Sequence, residues 1–127
     1  MKNIGFITTN KVLAQSLAIL IKSNPDLELE PFLMLNLGQA ALDAEIMGID
    51  IAVVEVIAGM SNGDGAIWTL CNTLRRTVPN CQILLLVQQD DPALQDKVLE
   101  AIKNKSVDDF VFCDSSLDYL LAKLLTI

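Results

Sequence analysis

The run Ile49-Asp50-Ile51-Ala52-Val53-Val54-Glu55-Val56 constrains this chain more than any other stretch. It has strand length and is rich in β-branched residues, which suit a pleated backbone. Apolar side chains point to both faces, so neither face can be left in water. A strand of that kind belongs in the middle of a parallel sheet covered on both sides. Glu55, near its far end, needs a reason to be there, because a buried carboxylate is costly unless paired or reached by water. It stands where a ligand or a reaction is normally found in sheets of this type.

The rest of the chain arranges itself around that strand. Asn3–Thr8 is a short apolar strand, and Asn10 caps a helix predicted from Lys11 to about Lys22, which stops at Ser23-Asn24-Pro25. Leu27-Glu28-Leu29-Glu30 alternates strictly before Pro31-Phe32-Leu33, which reads as a half-exposed edge strand. A helix from about Leu37 to Met47 closes at Gly48, a residue suited to a left-handed cap. After the central strand comes a glycine-rich loop, Ala58–Gly65, and Asp64 is expected to cap a helix with Ile67, Leu70, Cys71 and Leu74 on one stripe. Arg75 and Arg76 in its last turn suit the helix dipole.

Gln82–Val87 is a second strand with apolar residues to both faces. Asp91-Pro92 starts a helix with Leu94, Val98 and Ile102 on one side, with proline at the first helical position. Asp109–Cys113 is the last strand, and Ser115 or Ser116 caps a final helix with Leu117, Leu120, Leu121 and Leu124 inward. Five strand–helix units with short connections predict a flavodoxin-like α/β three-layer sandwich. Its five-stranded parallel sheet has the strand order 2-1-3-4-5, placing the alternating second strand and the short fifth at the edges. Ligands bind such sheets where strands one and three diverge, here between Thr8-Thr9-Asn10 and Glu55.

Composition narrows the function. Hydrophobic residues make up 52% of the 127 residues, so a single domain over 1–127 with a real core is expected, and disorder is not. The net charge of −7 argues against direct nucleic-acid binding, which needs a basic surface. No apolar stretch approaches the roughly 20 residues of a membrane span, and the N-terminus runs straight into a strand, so a cytoplasmic protein without membrane contact is expected. Absence of histidine removes histidine-based triads, histidine metal sites and phosphohistidine chemistry. Cys71, Cys81 and Cys113 lack CxxC spacing and read as buried free thiols. No GxxxxGK or GxGxxG occurs, so neither nucleotide hydrolysis nor dinucleotide binding has support.

With Asp50–Val56 as third strand, the whole chain resembles the receiver domain of response regulators, the CheY-like family. What the resemblance implies is a pocket with an acidic pair after strand one, a phosphorylated Asp ending strand three, a hydroxyl residue ending strand four and a lysine ending strand five. In this chain those positions hold Thr8 and Thr9, Glu55, Val87 and Cys113. Asp114 stands where a proline usually follows the lysine, and Phe110 at the family's switch aromatic. The loop after Glu55 is like the family's Met-Pro-Gly-x-Asp-Gly loop, with Gly59 for the proline and two extra residues before Asp64-Gly65.

Every chemical position departs, and the consequence is physical. Magnesium wants an octahedron of oxygens and is normally held by one or two carboxylates plus phosphate. Thr8 and Thr9 supply neutral hydroxyls, and Glu55 carries its oxygens about 1.5 Å further out than Asp would. Misplacement of that order costs about 100-fold in rate. Without a metal or lysine on the phosphoryl oxygens, in-line attack loses its electrostatic support. The chain is therefore expected to be a pseudo-receiver that is no enzyme, has no catalytic residue, metal or cofactor, and acts through a protein partner or an attached output domain. By the resemblance, the face around the fourth helix, fifth strand and fifth helix is the place for that contact, and a homodimer is compatible with it.

Alternatives stay open at this level. Glu55 either mimics the charge of a phosphoaspartate or is a solvated residue at a strand end. A response regulator of a two-component phosphorelay that still accepts phosphate, unconventionally on Glu55 or not in this pocket at all, is the first competing function. The second is flavin or nucleotide binding, with Thr8-Thr9-Asn10 cradling a phosphate, although that loop lacks glycine and has no aromatic residue beside it. Asp90-Asp91 reads as a helix start, and Asp108-Asp109 opens the last strand at the opposite end of the sheet from Glu55. Ile19-Leu20-Ile21, Leu33-Met34-Leu35 and Trp68 look poorly placed for full burial and are candidates for an interaction patch. The end at Leu124-Leu125-Thr126-Ile127 is consistent with the N-terminal module of a longer protein, of the kind that precedes AAA+ regulators and pilus-assembly localisation ATPases.

Overall fold

The structure, a computed structural model, describes residues 2–56, 66–87, 92–112 and 117–126. Asp64, Asp90-Asp91, Cys113, Asp114, Ser115 and Ser116 lie outside the described residues, as do the side chains of Leu94, Leu117 and Leu121. Five strands, β1 (Lys2–Ile7), β2 (Leu29–Met34), β3 (Ile51–Val56), β4 (Gln82–Val87) and β5 (Asp109–Phe112), form one sheet in the order β2-β1-β3-β4-β5. All four pairings are parallel. The helices are α1 (Lys11–Lys22), α2 (Leu37–Met47), α3 (Ala66–Thr77), α4 (Pro92–Lys103) and α5 (Leu117–Thr126).

All six residues of β3 are buried, as a two-sided central strand requires. Strand alternation splits the core in two. Ile4, Phe6, Ile51, Val53, Leu84, Leu86 and Val111 pack with Leu17 and Ile21 of α1 and Leu120 and Leu124 of α5. Ile7, Val54, Val56, Ile83, Leu85 and Val87 pack on the other face with α2, α3 and α4. The stripe Ile67, Leu70, Cys71 and Leu74 is buried as the spacing predicts.

Helix ends follow their capping residues. Asn10 Oδ1 accepts from Leu13 N at 3.1 Å, and Asn36 Oδ1 accepts from Gly38 N at 2.9 Å. Gly48 sits at φ 65°, with Ile49 N donating to Ala44 O at 3.0 Å to close α2. A Cβ on Gly48 would meet nothing within 4 Å, so the cost of Gly48→Ala is purely conformational. Urea unfolding is expected to show a loss of about 1 kcal/mol for that variant.

The second strand differs from its sequence-based placement. Pro25–Leu27 forms a single 3-10 turn, and Glu28 follows in the left-handed region at φ 54°. Pairing begins only at Leu29, opposite Lys2. Leu27 and Leu29 both pack on the α1 side of the sheet, so their alternation with glutamates reports a shared face and not a shared strand. Pro31 is tolerated because β2 is an edge.

Asp108 ties three elements together just before β5. Its Oδ2 accepts from Ile83 N at 2.7 Å and from an Arg75 guanidinium nitrogen at 2.8 Å. Arg75 also donates to Cys81 O at 3.3 Å. The ion pair is partly exposed and contributes little by itself. The backbone contact makes Asp108→Ala worth about 2 kcal/mol, and Asp108→Asn, which keeps an acceptor for Ile83, about half of that. Thermal or urea melts of the two variants measure the difference.

Cys71 and Cys81 are buried and unbonded. Burial pushes Cys71 up to about 12 and Cys81 up to about 11, outweighing the nearby Arg75 guanidinium that pulls both down. Above the ordinary thiol range near pH 9, the unfolded chain releases protons that folded Cys71 retains, so stability falls as pH rises toward 12. Between pH 9 and 11 the wild type is expected to lose up to about 1.4 kcal/mol per pH unit more than Cys71→Ala, measured by urea midpoints.

Candidate functional site

The carboxyl ends of β1 and β3 bring Thr8 and Glu55 together. Thr8 follows β1 directly, and its N–H donates to Met34 O at 3.3 Å, prolonging the pairing with β2. The Thr8 hydroxyl donates to Glu55 Oε1 and accepts from Asn10 N at 2.9 Å. A hydroxyl has one proton to give, and here it goes to the carboxylate. The same oxygen fixes Asn10, the residue that caps α1, so the end of β3 and the start of α1 are joined through one side chain.

Glu55 is 7% exposed and Thr8 4% exposed. Glu55 is therefore not a solvated strand-end residue; it lies on the α1 and α5 side of the sheet, the face of Ile51 and Val53. Thr9 is exposed. Val87, expected from the resemblance at the family's hydroxyl position, is fully buried on the opposite face, in register with Val56 and Phe112. Phe110 is half-buried on that face, its ring edge-on to Phe112 at 5.3 Å and 82°. Val87, Gln95, Val98, Leu99, Phe110 and Phe112 enclose a gap of only about 30 Å³. Cys113 falls outside the described residues.

Among the described residues, the strand ends of β1 and β3 offer too few oxygens for the magnesium ion that receiver chemistry employs. Glu55 is a single carboxylate with one oxygen already accepting from Thr8, and its neighbour is a neutral hydroxyl. Among the described residues no three Cys, Asp or Glu side chains gather as a metal site would need.

Of the apolar residues that looked surplus in sequence, Ile19 (66% exposed) and Leu33 and Leu35 are exposed, whereas Ile21 and Met34 are buried. Leu20 packs partly on the core. Trp68 is half-buried and walls a cavity of about 240 Å³ between α3 and α4, shared with Asn72, Lys97 and Asn104. None of the strand-end residues lines it. The Thr8–Glu55 bond and the role of Asp108 were not legible in sequence, because each joins residues far apart along the chain. The one available signal was a lone acid ending a buried strand.

The strand order and the helices on both faces give a CheY-like α/β fold. Among solved structures, a two-component response regulator from Clostridium difficile is 25% identical, with a TM-score of 0.78 over 99% of this chain and 94% of that one. A CheY-like response-regulator receiver domain from Methanospirillum hungatei is 14% identical at a TM-score of 0.76, covering 98% of this chain and 90% of that one. A protein from Burkholderia pseudomallei described as pilus assembly-related is 18% identical at 0.73, covering 99% and 90%. No protein-family model and no curated protein matches the sequence. The chain has the response-regulator receiver fold, and no helix among the described residues is long and apolar enough to cross a membrane.

Proposed function

We propose that this chain is an atypical receiver, a pseudo-receiver that works by binding a protein and not by accepting a phosphoryl group. One observation supports the reading: among the described residues the only acid at the strand ends of β1 and β3 is buried and holds the Thr8 hydroxyl, where a receiver needs carboxylates free to grip a metal. A phosphoryl donor brought to Glu55 meets no second acid among the described residues, and Val87 offers no hydroxyl to the transferred group. In-line transfer without charge compensation loses most of its rate.

The binding face in this reading is the one formed by α4, β5 and α5, where Leu99 (54%) and Tyr119 (48%) are exposed. Its occupant is a partner protein or an output domain on the same polypeptide, in the cytoplasm, and the chain has no enzymatic activity of its own. Incubation with acetyl phosphate and magnesium, followed by intact mass measurement, tests the reading. An unchanged mass is expected. Addition of one phosphoryl group at Glu55 contradicts it, and visible absorbance in the purified protein would favour flavin binding instead.

A further inference from the structure

Helix α2 is built inside out. The residues it buries are the two small ones, Ala40 and Ala44, while Leu42 (51% exposed), Ile46 (73%) and Met47 (42%) face solvent. Leu42 and Ile46 are one turn apart and lie side by side. Small side chains let the helix approach the sheet closely, but nothing among the described residues covers the large aliphatic residues on the outside. The helix itself is anionic, with two carboxylates and no lysine or arginine. Asp43 and Glu45 belong to α2 itself, and neither forms an ion pair among the described residues.

Helix α1 offers the opposite. It carries Lys11 and Lys22 and no acid, and its outer face shows Val12 (72%) and Ile19 (66%), seven residues and about two turns apart. Neither lysine forms an ion pair among the described residues. α1 and α2 cover opposite faces of the sheet, since their buried residues fall in the two separate core clusters. We infer that α1 of one copy docks on α2 of the next, aliphatic on aliphatic and lysine against carboxylate. Because the two surfaces are different patches on opposite faces, the contact is head-to-tail and does not close on itself as a two-fold dimer does. It is independent of the strand-end pocket.

Sedimentation velocity over a concentration series provides the test. The wild type is expected to gain weight-average mass with concentration beyond a dimer. The association should weaken as salt shrinks the screening length from about 10 Å at 0.1 M to about 3 Å at 1 M. Ile19→Asp and Ile46→Asp change exposed residues, and circular dichroism checks that both stay folded. Each alone should weaken self-association about tenfold or more. Mixed one to one, they should form a heterodimer that stops there, through the intact α1 of the Ile46→Asp chain and the intact α2 of the Ile19→Asp chain. A wild type that stays monomeric at every concentration would overturn the inference. So would a closed dimer, or two variants that remain apart on mixing.

Discussion

Thr8→Val is expected to lower the unfolding free energy by about 3 kcal/mol, and Thr8→Val combined with Glu55→Met to recover most of it. The single change removes the hydroxyl that Glu55 accepts from and leaves a 7%-exposed carboxylate without that partner. Leaving a buried acceptor unmatched costs about 1–3 kcal/mol, and more when it is charged. Replacing both partners by apolar side chains removes the orphan, because Glu55 shares its face with Ile51 and Val53. Recovery stays incomplete for a stated reason: Asn10 N also donates to the Thr8 oxygen, and valine cannot replace that acceptor. Urea melts of the wild type, Thr8→Val, Glu55→Met and the double variant give the coupling energy directly, and a double variant no more stable than Thr8→Val would show that the pair is not a unit.

Leu85→Ala is expected to cost about 3–4 kcal/mol, whereas Ile46→Ala changes stability by less than about 0.5 kcal/mol. Leu85 is fully buried in β4, a strand with neighbours on both sides and helices over both faces. Truncation there loses the transfer energy of the removed carbons and leaves a cavity that the sheet cannot collapse around. Ile46 is 73% exposed and loses almost nothing on truncation within a single chain. The contrast separates residues that hold the fold from residues that hydropathy alone ranks beside them. Equal losses at the two positions, measured by chemical denaturation of dilute protein, would mean that α2 packs differently from its observed pose.

Much of this architecture is legible without coordinates because its signals are local. The two-sided apolar runs at Ile51–Val56 and Gln82–Val87 give central strands, Asn10 and Gly48 mark helix ends, and the observed strand order is the expected one. The miss at Leu27–Glu28 is local too: Pro25 starts a 3-10 turn whose side chains imitate strand alternation. What remained hidden is non-local. The Thr8–Glu55 bond spans 47 residues of sequence and the Arg75–Asp108 pair spans 33, and no periodicity reports either. Expected poor burial was right for Ile19 and wrong for Met34, whose side chain closes over Gly5 of β1, within 3.2 Å of where a Cβ would stand. Positions in the resemblance located Glu55 and Val87, but only the structure showed them on opposite faces of the sheet.

Backbone amide spectra of labelled protein, recorded while magnesium and beryllofluoride are added, probe the strand-end pocket most directly. With Glu55 occupied by Thr8 and no second acid beside it among the described residues, the Thr8, Asn10 and Glu55 amides are expected to stay where they are at millimolar additions. Saturable shifts centred on those three residues would contradict that, and would mean that the pocket opens to hold both ions.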